Sequence, residues 1–174
     1  FYDELDIKQL SEDRLMEDVF EDALKNGEFQ LWYQPKVDPV TGNILGAEAL
    51  IRWKRPDGTM LSPGKFIPLF EKNGNITTLD EYVFRTVCAQ QQRWLQAGAK
   101  LYPISVNISR VSLYYSNVVD KYREILNSFR LDPKYVPLEI TESATIDNSD
   151  ISSLIDQFHE AGFTLLLDDF GSGY

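Results

Sequence analysis

The chain has 174 residues, of which 43% are hydrophobic and 25% are charged, with 22 aromatic side chains contributed by ten Phe, nine Tyr and three Trp. These values are typical of a folded domain with a substantial core, and they exclude a disordered chain. The net charge of −10 argues against binding to polymeric nucleic acid and against direct contact with a membrane surface, because both need clustered Lys or Arg.

The first segment, residues 1–27, is acidic and has the apolar spacing of a helix, with Gly27 where a helix would stop. The apolar positions predicted to share one face are Leu15, Val19, Phe20, Ala23 and Leu24. We interpret residues 1–27 as a linker and N-terminal helix from an upstream domain, and residues 28–174 as the folded domain itself.

Two β-rich runs follow, residues 29–37 and 44–53, joined by the turn sequence DPVTGN. Their composition predicts an antiparallel hairpin. Next, residues 62–74 have a helix start at Ser62-Pro63, and Pro68 is expected to interrupt or restart that helix. A capping-box pattern at Thr78–Glu81 predicts the start of a helix that reaches Gly98.

The rest of the chain alternates between strands and helices. Strands are predicted at 102–109, 136–143 and 163–169, and helices at 117–130 and 149–161. Apolar strands that alternate with helices predict parallel strands covered by helices. Both a doubly wound sheet and a (βα) barrel fit this order, and the alternation alone does not choose between them.

Four strand-like runs carry oxygen-bearing side chains within or at the end of apolar sequence: Glu48, Asn107, Glu139 and the pair Asp168-Asp169. A carboxylate buried among Leu, Ile and Val is costly unless it is paired or bound to a cation. The carboxyl ends of parallel strands lie on one face, where active sites form. Carboxylates and an amide suit one or two ions of Mg²⁺ or Mn²⁺, and two adjacent aspartates can bridge a pair.

Zinc is disfavoured because Cys88 is the single cysteine and His159 the single histidine. We interpret Cys88 as a buried structural thiol and His159 as a surface or interface residue. No apolar run approaches the ~20 residues that cross a bilayer, and no signal peptide is visible. We therefore expect a cytoplasmic location, although a parent protein could be anchored to a membrane elsewhere.

Within strand 44–53, Glu48, Leu50 and Arg52 are spaced by two and should point the same way. Arg52 could hold a phosphate oxygen through its guanidinium donors, and Gln34 on the partner strand could add a hydrogen bond to a ligand.

Each candidate also has a structural explanation. Glu48 could form an ion pair with Arg52, Asn107 could be a sheet-end amide, Glu139 could pair with a Lys or Arg from a covering helix, and Asp168-Asp169 could end a strand in a turn. The occurrence of all four candidates at equivalent strand positions favours a functional site over four separate structural explanations.

A series of motifs now becomes specific: Tyr33-Gln34-Pro35, Glu48-Ala49-Leu50-Ile51-Arg52-Trp53, Ser105-Val106-Asn107-Ile108-Ser109, Leu138-Glu139-Ile140-Thr141-Glu142-Ser143 and Asp168-Asp169-Phe170-Gly171-Ser172-Gly173-Tyr174. Their order and spacing from about residue 29 onward resemble the EAL family of cyclic di-GMP phosphodiesterases. One departure is residues 110–115, where the family has a polar, Gln-rich segment.

The resemblance implies an α/β fold, a modified TIM (βα)8 barrel with an antiparallel first strand, of which this chain contains about the first six strands. It implies hydrolysis of cyclic di-GMP to linear pGpG. Glu48, Asn107, Glu139 and Asp168 would then bind the first metal and Asp169 the second, while Gln34, Leu50 and Arg52 would contact the substrate. Glu142 would hold the loop that contains Phe170 and Gly171, which links metal binding to dimer contacts.

The resemblance also implies a GGDEF–EAL parent and allows a homodimer. A barrel of this kind has about 250 residues, so a Lys and further Glu and Gln residues of the site are expected beyond Tyr174. We therefore expect the 174-residue chain alone to be inactive. Two alternatives remain open: a catalytically silent module that binds cyclic di-GMP, and a structural or dimerising piece.

Overall fold

The computed structural model describes residues 4–141 and 150–168, and the side chains of 6–140 and 151–167. The elements in chain order are α1 Glu4–Asp18, α2 Phe20–Lys25, β1 Phe29–Val37, β2 Ile44–Lys54, β3 Met60–Leu61, α3 Pro63–Asn73, α4 Ile76–Gln96, β4 Ile104–Asn107, α5 Arg110–Leu113, α6 Val118–Ser128, β5 Leu138–Thr141, α7 Asp150–Glu160 and β6 Leu165–Asp168. A short 3-10 turn, Pro133–Tyr135, precedes β5.

The described strands form one mixed sheet in the order β1-β2-β4-β5-β6, and the short β3 pairs with β2. The pairing of β1 with β2 is antiparallel, whereas β2-β4, β4-β5 and β5-β6 are parallel. This arrangement confirms the predicted fold, an incomplete α/β barrel that begins with an antiparallel strand. The helices between the parallel strands are the crossover connections that such pairing requires.

Two local features fix the shape of the β1-β2 hairpin and its position against β4. Asp38 closes its turn, because one carboxylate oxygen accepts hydrogen bonds from the backbone N–H groups of Val40 and Thr41, and these bonds lower the pKa of Asp38. Gly46 lies where β2 approaches the segment before β4, and a Cβ atom there would be only 2.5 Å from the carbonyl oxygen of Pro103. The pairing of β2 with β4 therefore depends on a glycine at position 46.

Two local predictions were wrong. Pro68 lies inside a continuous α3, whose Phe66 and Phe70 are fully buried, so tertiary packing holds the helix through the proline. The next helix begins at Ile76 and not at Thr78, since α3 ends at Gly74 in the left-handed conformation and α4 starts almost at once. The predicted capping box at Thr78–Glu81 is thus already within the helix.

An aromatic cluster joins the hairpin to the helices around it. Phe70 of α3 makes ring contacts with Phe20, Phe29, Trp53 and Phe66, at centroid distances between 4.7 and 6.4 Å. Because Phe20 belongs to α2, this cluster fixes the second N-terminal helix on the barrel sheet.

The helical face predicted for residues 1–27 is partly wrong. Met16, Phe20 and Ala23 are buried, but Leu15 is 53% exposed. A second cluster fills the space between the sheet and helices α4, α6 and α7. Cys88 belongs to it and is fully buried, as predicted, and burial raises the pKa of its thiol to about 12.

His159 lies exposed on α7, in agreement with the prediction of a surface residue. Among the described helices, none combines the length and the apolar character that crossing a membrane would need.

Replacing Phe70 with alanine should lower the free energy of unfolding by about 3–5 kcal/mol, because it removes the ring that touches four other aromatic side chains. Urea unfolding followed by tryptophan fluorescence measures this loss. Val40→Ala is the control, since Val40 is 90% exposed in the hairpin turn and should change stability by less than about 0.5 kcal/mol. Equal losses in both variants would contradict the role of the cluster.

Candidate active site at the carboxyl ends of the strands

Glu48 and Asn107 are in direct contact although 59 positions separate them in the chain. The amide Nδ2 of Asn107 donates a hydrogen bond of 2.9 Å to Glu48 Oε1. Glu48 is half-buried on β2, and Asn107 is the exposed last residue of β4. The donation uses the amide nitrogen of Asn107, so its oxygen remains available as a ligand for a cation.

Glu139 lies beside Asn107 because the two residues are aligned in the parallel pairing of β4 with β5. Its side chain is only 4% exposed. Glu139 forms an ion pair with Lys36 of β1, whose Nζ contacts Glu139 Oε1. The same Nζ donates a hydrogen bond of 3.0 Å to Ser105 Oγ. The structural alternative considered for Glu139 was an ion pair with a Lys or Arg of a covering helix, but its partner is a lysine on a strand of the sheet itself.

Lys36 is not among the candidate residues that the sequence motifs predict, although its position on β1 points to it. Gln34 and Lys36 are two positions apart on β1 and therefore face the same side of the sheet. Gln34 is aligned with Glu48 across the hairpin, so this side is the one that carries the candidate residues. A lysine on that face is a candidate partner for the acidic strand ends.

Arg52 does not pair with Glu48. Its guanidinium donates to the carbonyl oxygen of Ile51 at 2.8 Å and lies 5.7 Å from the ring centroid of Trp32. Among the ion pairs that the described residues form, none joins Glu48 to Arg52. The structural explanation for this pair is therefore wrong, and no arginine among the described residues forms an ion pair with Glu48.

A cavity of about 320 Å³ lies next to these residues, between β2, the end of β4, and helices α3 and α4. Leu50, Arg52 and Asn107 are among the residues that line it. Two of the three predicted substrate contacts therefore share a cavity with one predicted ligand, whereas Gln34, Glu48 and Glu139 are absent from its lining.

The last predicted ligands are only partly described. The backbone of Asp168 ends β6 and is aligned with Thr141, two residues beyond Glu139 on the neighbouring strand. Its backbone therefore lies at the same end of the sheet as Asn107 and Glu139. Asp169, Glu142, Phe170 and Gly171 lie outside the described residues, so their predicted roles stay predictions.

The donor set fits a hard divalent cation in its chemistry. Glu48, Glu139 and Asn107 supply carboxylate and amide oxygens, the ligand types that Mg²⁺ and Mn²⁺ prefer. Within the described side chains, no group of three or more His, Cys, Asp or Glu is close enough to hold a metal ion. Asp168 and Asp169, the other predicted ligands, have side chains outside that set, so their roles stay predictions.

The loop after Asn107 is fixed by the buried carboxylate of Asp80 on α4. Asp80 Oδ2 accepts hydrogen bonds from the Ser109 backbone N–H at 2.9 Å and from Ser112 Oγ at 2.6 Å. Ser109 Oγ in turn caps α5 by accepting from the Ser112 N–H. The segment at 110–115 that departs from the family pattern thus begins as a short helix, anchored just beyond Asn107.

Burial raises the pKa of Asp80 from 3.8 to about 6, and Glu71 on α3 adds to the rise. The hydrogen bonds from Ser109 and Ser112 oppose it but do not outweigh desolvation. Asp80 also helps to raise the pKa of Tyr122 on α6, mainly a consequence of burial.

A sheet that starts with an antiparallel hairpin and continues in parallel, with the candidate residues Glu48, Asn107 and Glu139 on three successive strands, is that of an incomplete α/β barrel. The family description "EAL domain" matches residues 17–174, which is most of the chain. The chain therefore belongs to the EAL domain family. The match begins at residue 17, before the domain boundary predicted at residue 28.

Named relatives agree with this assignment. The chain is 38% identical over 153 residues to the bifunctional diguanylate cyclase/cyclic di-GMP phosphodiesterase MucR of Pseudomonas aeruginosa, covering 87% of this chain and 22% of MucR. It is 35% identical over 154 residues to the probable cyclic di-GMP phosphodiesterase PdeB of Escherichia coli, covering 88% of this chain and 30% of PdeB.

The chain is also similar to the solved structure of the PaMucR phosphodiesterase in complex with c-di-GMP. The TM-score is 0.85 at 35% identity, covering 92% of this chain and 65% of that one. The chain therefore spans less than two thirds of each of these relatives.

Asp80→Asn should become more stable relative to the parent protein as the pH rises from about 4 to about 7. The folded pKa is raised, so Asp80 contributes stability only while it is protonated, and this contribution is lost as the pH passes through about 6. The relative gain should reach about 2 kcal/mol and is measured by urea unfolding across that range.

Asp132→Asn is a control of opposite sign. The pKa of Asp132 is lowered, chiefly by the hydrogen bond that it accepts from the Lys134 N–H, so this exposed variant should lose relative stability as the pH rises. Parallel pH curves for Asp80→Asn and the parent protein would show that burial does not control the Asp80 carboxyl.

Proposed function

We propose that the protein to which this chain belongs hydrolyses cyclic di-GMP to linear pGpG in a reaction that depends on Mg²⁺ or Mn²⁺. The contact between Glu48 and Asn107, with Glu139 aligned beside them, is the observation that carries the proposal. Two carboxylates and an amide on three successive strands support the proposal, because (βα) barrels perform chemistry with residues of several different strands. Membership of a family with several named cyclic di-GMP phosphodiesterases supports the substrate.

Glu48, Asn107, Glu139 and Asp168 would hold the first cation, and Asp169 would bind the second. A bound divalent ion supplies activation of water and neutralises charge at the phosphodiester. The Asn107 amide orients the Glu48 carboxylate through the 2.9 Å hydrogen bond. Water would add to the phosphorus of one of the two phosphodiester groups of the ring, and the ribose 3′-oxygen would leave with a proton as the 3′-hydroxyl of the linear product. The other phosphodiester group stays intact.

Arg52 would hold a phosphate oxygen, and Leu50 and Gln34 would contact the remainder of the substrate. The cavity lined by Leu50, Arg52 and Asn107 supports this assignment for the first two residues. Arg52 has one guanidinium nitrogen on a backbone carbonyl in the described structure, and its other donors can serve an anionic ligand. Gln34, aligned with Glu48, is the strand neighbour nearest in register to the site.

The regulatory and structural predictions are part of the same proposal. Glu142, Phe170 and Gly171 would form the loop that links the site to contacts in a homodimer. The N-terminal helices would connect the barrel to a further domain, which the bifunctional name of MucR and the 22% of its length that this chain covers support. The location proposed for the whole protein is the cytoplasm. The alternative is a silent module that binds cyclic di-GMP without cutting it.

Glu48→Gln should reduce the turnover of cyclic di-GMP by on the order of a hundredfold or more, because it removes a ligand charge while it keeps an acceptor for Asn107. Hydrolysis by the full-length protein is followed by chromatography of pGpG with Mg²⁺ and, separately, with Mn²⁺. Glu124→Gln, exposed on α6, is the matched control and should retain full activity.

Two results would count against the proposal. Full activity of Glu48→Gln would exclude this residue as a ligand. Cyclic di-GMP binding by the unaltered protein, with no pGpG formed under either metal, would identify the silent binding module instead.

The 174-residue chain on its own should show no measurable turnover, because the predicted Lys and further Glu and Gln of the site are not among its residues. The same chromatographic assay on the purified chain, beside the full-length protein at equal concentration, checks this. Metal-dependent pGpG formation that disappears with Glu48→Gln in the short chain would contradict it.

A further inference from the structure

The pair formed by Lys36 and Glu139 lies within the candidate site and needs its own explanation. Glu139 is 4% exposed and is the second residue of the apolar strand β5, Leu138–Thr141, so an unpaired negative charge there would be strongly disfavoured. Lys36 supplies the opposite charge from β1, the antiparallel strand. The carboxylate is therefore compensated in the described structure before any other cation is considered.

The position of the Lys36 ammonium is set by more than one contact. Ser105 Oγ accepts from Lys36 Nζ at 3.0 Å and donates to the carbonyl oxygen of Ala47 at 3.2 Å. Ser105 is buried and aligned with Glu48 in the pairing of β4 with β2. A chain of hydrogen bonds donated from Lys36 to Ser105, and from Ser105 to Ala47, thus holds Lys36 at Glu139.

The Lys36 ammonium can also move away from Glu139. Its side chain is 42% exposed, ten times the exposure of Glu139, and a lysine carries its charge on a flexible four-carbon stem. A divalent ion on Glu139 would repel the ammonium and replace the compensation that it provides. The ammonium can then turn towards solvent, which a fully buried cation could not do.

We propose that Lys36 is a displaceable counter-ion for Glu139, which compensates this carboxylate in the metal-free protein and competes with the divalent cation for it. Lys36 is thus a positioning residue that sets the cation concentration at which the site fills. This inference rests on the proposed function, since it takes Glu139 to be a metal ligand. It predicts that Lys36 stabilises the metal-free protein and weakens the binding of a divalent cation.

The test uses the full-length protein, Mn²⁺ as the probe, calorimetry for affinity and thermal unfolding for stability. Lys36→Met should bind Mn²⁺ on the order of tenfold more tightly than the unaltered protein, because the competing charge is gone. The same variant without metal should unfold a few degrees lower, and saturating Mn²⁺ should abolish that difference.

Three further variants make the test specific. Lys36→Arg keeps the charge and should stay within about threefold of the unaltered affinity. Lys25→Met removes a lysine from an exposed pair with Glu21, 3.7 Å apart, and should change neither quantity. Lys36→Gln also removes the charge but keeps a donor for Ser105, and it replaces Lys36→Met if that variant does not fold.

The possible failures can be told apart. Equal or weaker Mn²⁺ binding by the neutral Lys36 variants, with the unaltered protein binding normally, would overturn the counter-ion role and leave the proposed function standing. A folded, unaltered protein that binds no Mn²⁺ would overturn both. Tighter binding by Lys36→Met in a protein that forms no pGpG would support the counter-ion and remove only the hydrolytic function.

Discussion

The parallel alignment of β2, β4 and β5 is the constraint on which the candidate site depends. It brings Asn107 beside Glu139 of β5 and lets the Asn107 amide reach Glu48 on the other neighbouring strand, β2. A shift of one residue in any of these strands would turn the polar side chain to the opposite face of the sheet. The alignment of β2 with β4 requires glycine at position 46, because the Cβ atom of any other residue would clash with the carbonyl oxygen of Pro103.

Charge compensation is the second physical theme. The candidate site contains negatively charged residues in a chain whose net charge is −10. Its two glutamates in the described part of the chain, Glu48 and Glu139, have different partners. Glu48 is half-buried and receives an amide hydrogen bond, whereas Glu139 is buried and receives an ammonium. A surface rich in acid gives no attraction for an anionic substrate, so cations at the site and Arg52 would have to supply it.

The packing behind the strands determines how firmly the site is held. The aromatic cluster around Phe70 joins α2, α3 and the hairpin on one side, and the larger apolar cluster joins α4 and α6 to the sheet on the other. Asp80 connects this packing to the chemistry, since it is buried on α4 and bonded to the loop directly after Asn107. Burial disfavours the charged form of Asp80, and the same buried carboxylate holds that loop in place.

The sequence by itself determined the order of the elements, the antiparallel hairpin, the family and the candidate residues, because strand periodicity and ordered motifs are local properties of the chain. Local rules failed where packing overrode them, as at Pro68 in α3. Only the tertiary structure decided which charges meet. Arg52 turns to Ile51 and Trp32 while Lys36, 103 positions before Glu139, neutralises that glutamate. Such partners depend on which strands become neighbours and on their register, neither of which is written in any short stretch of sequence.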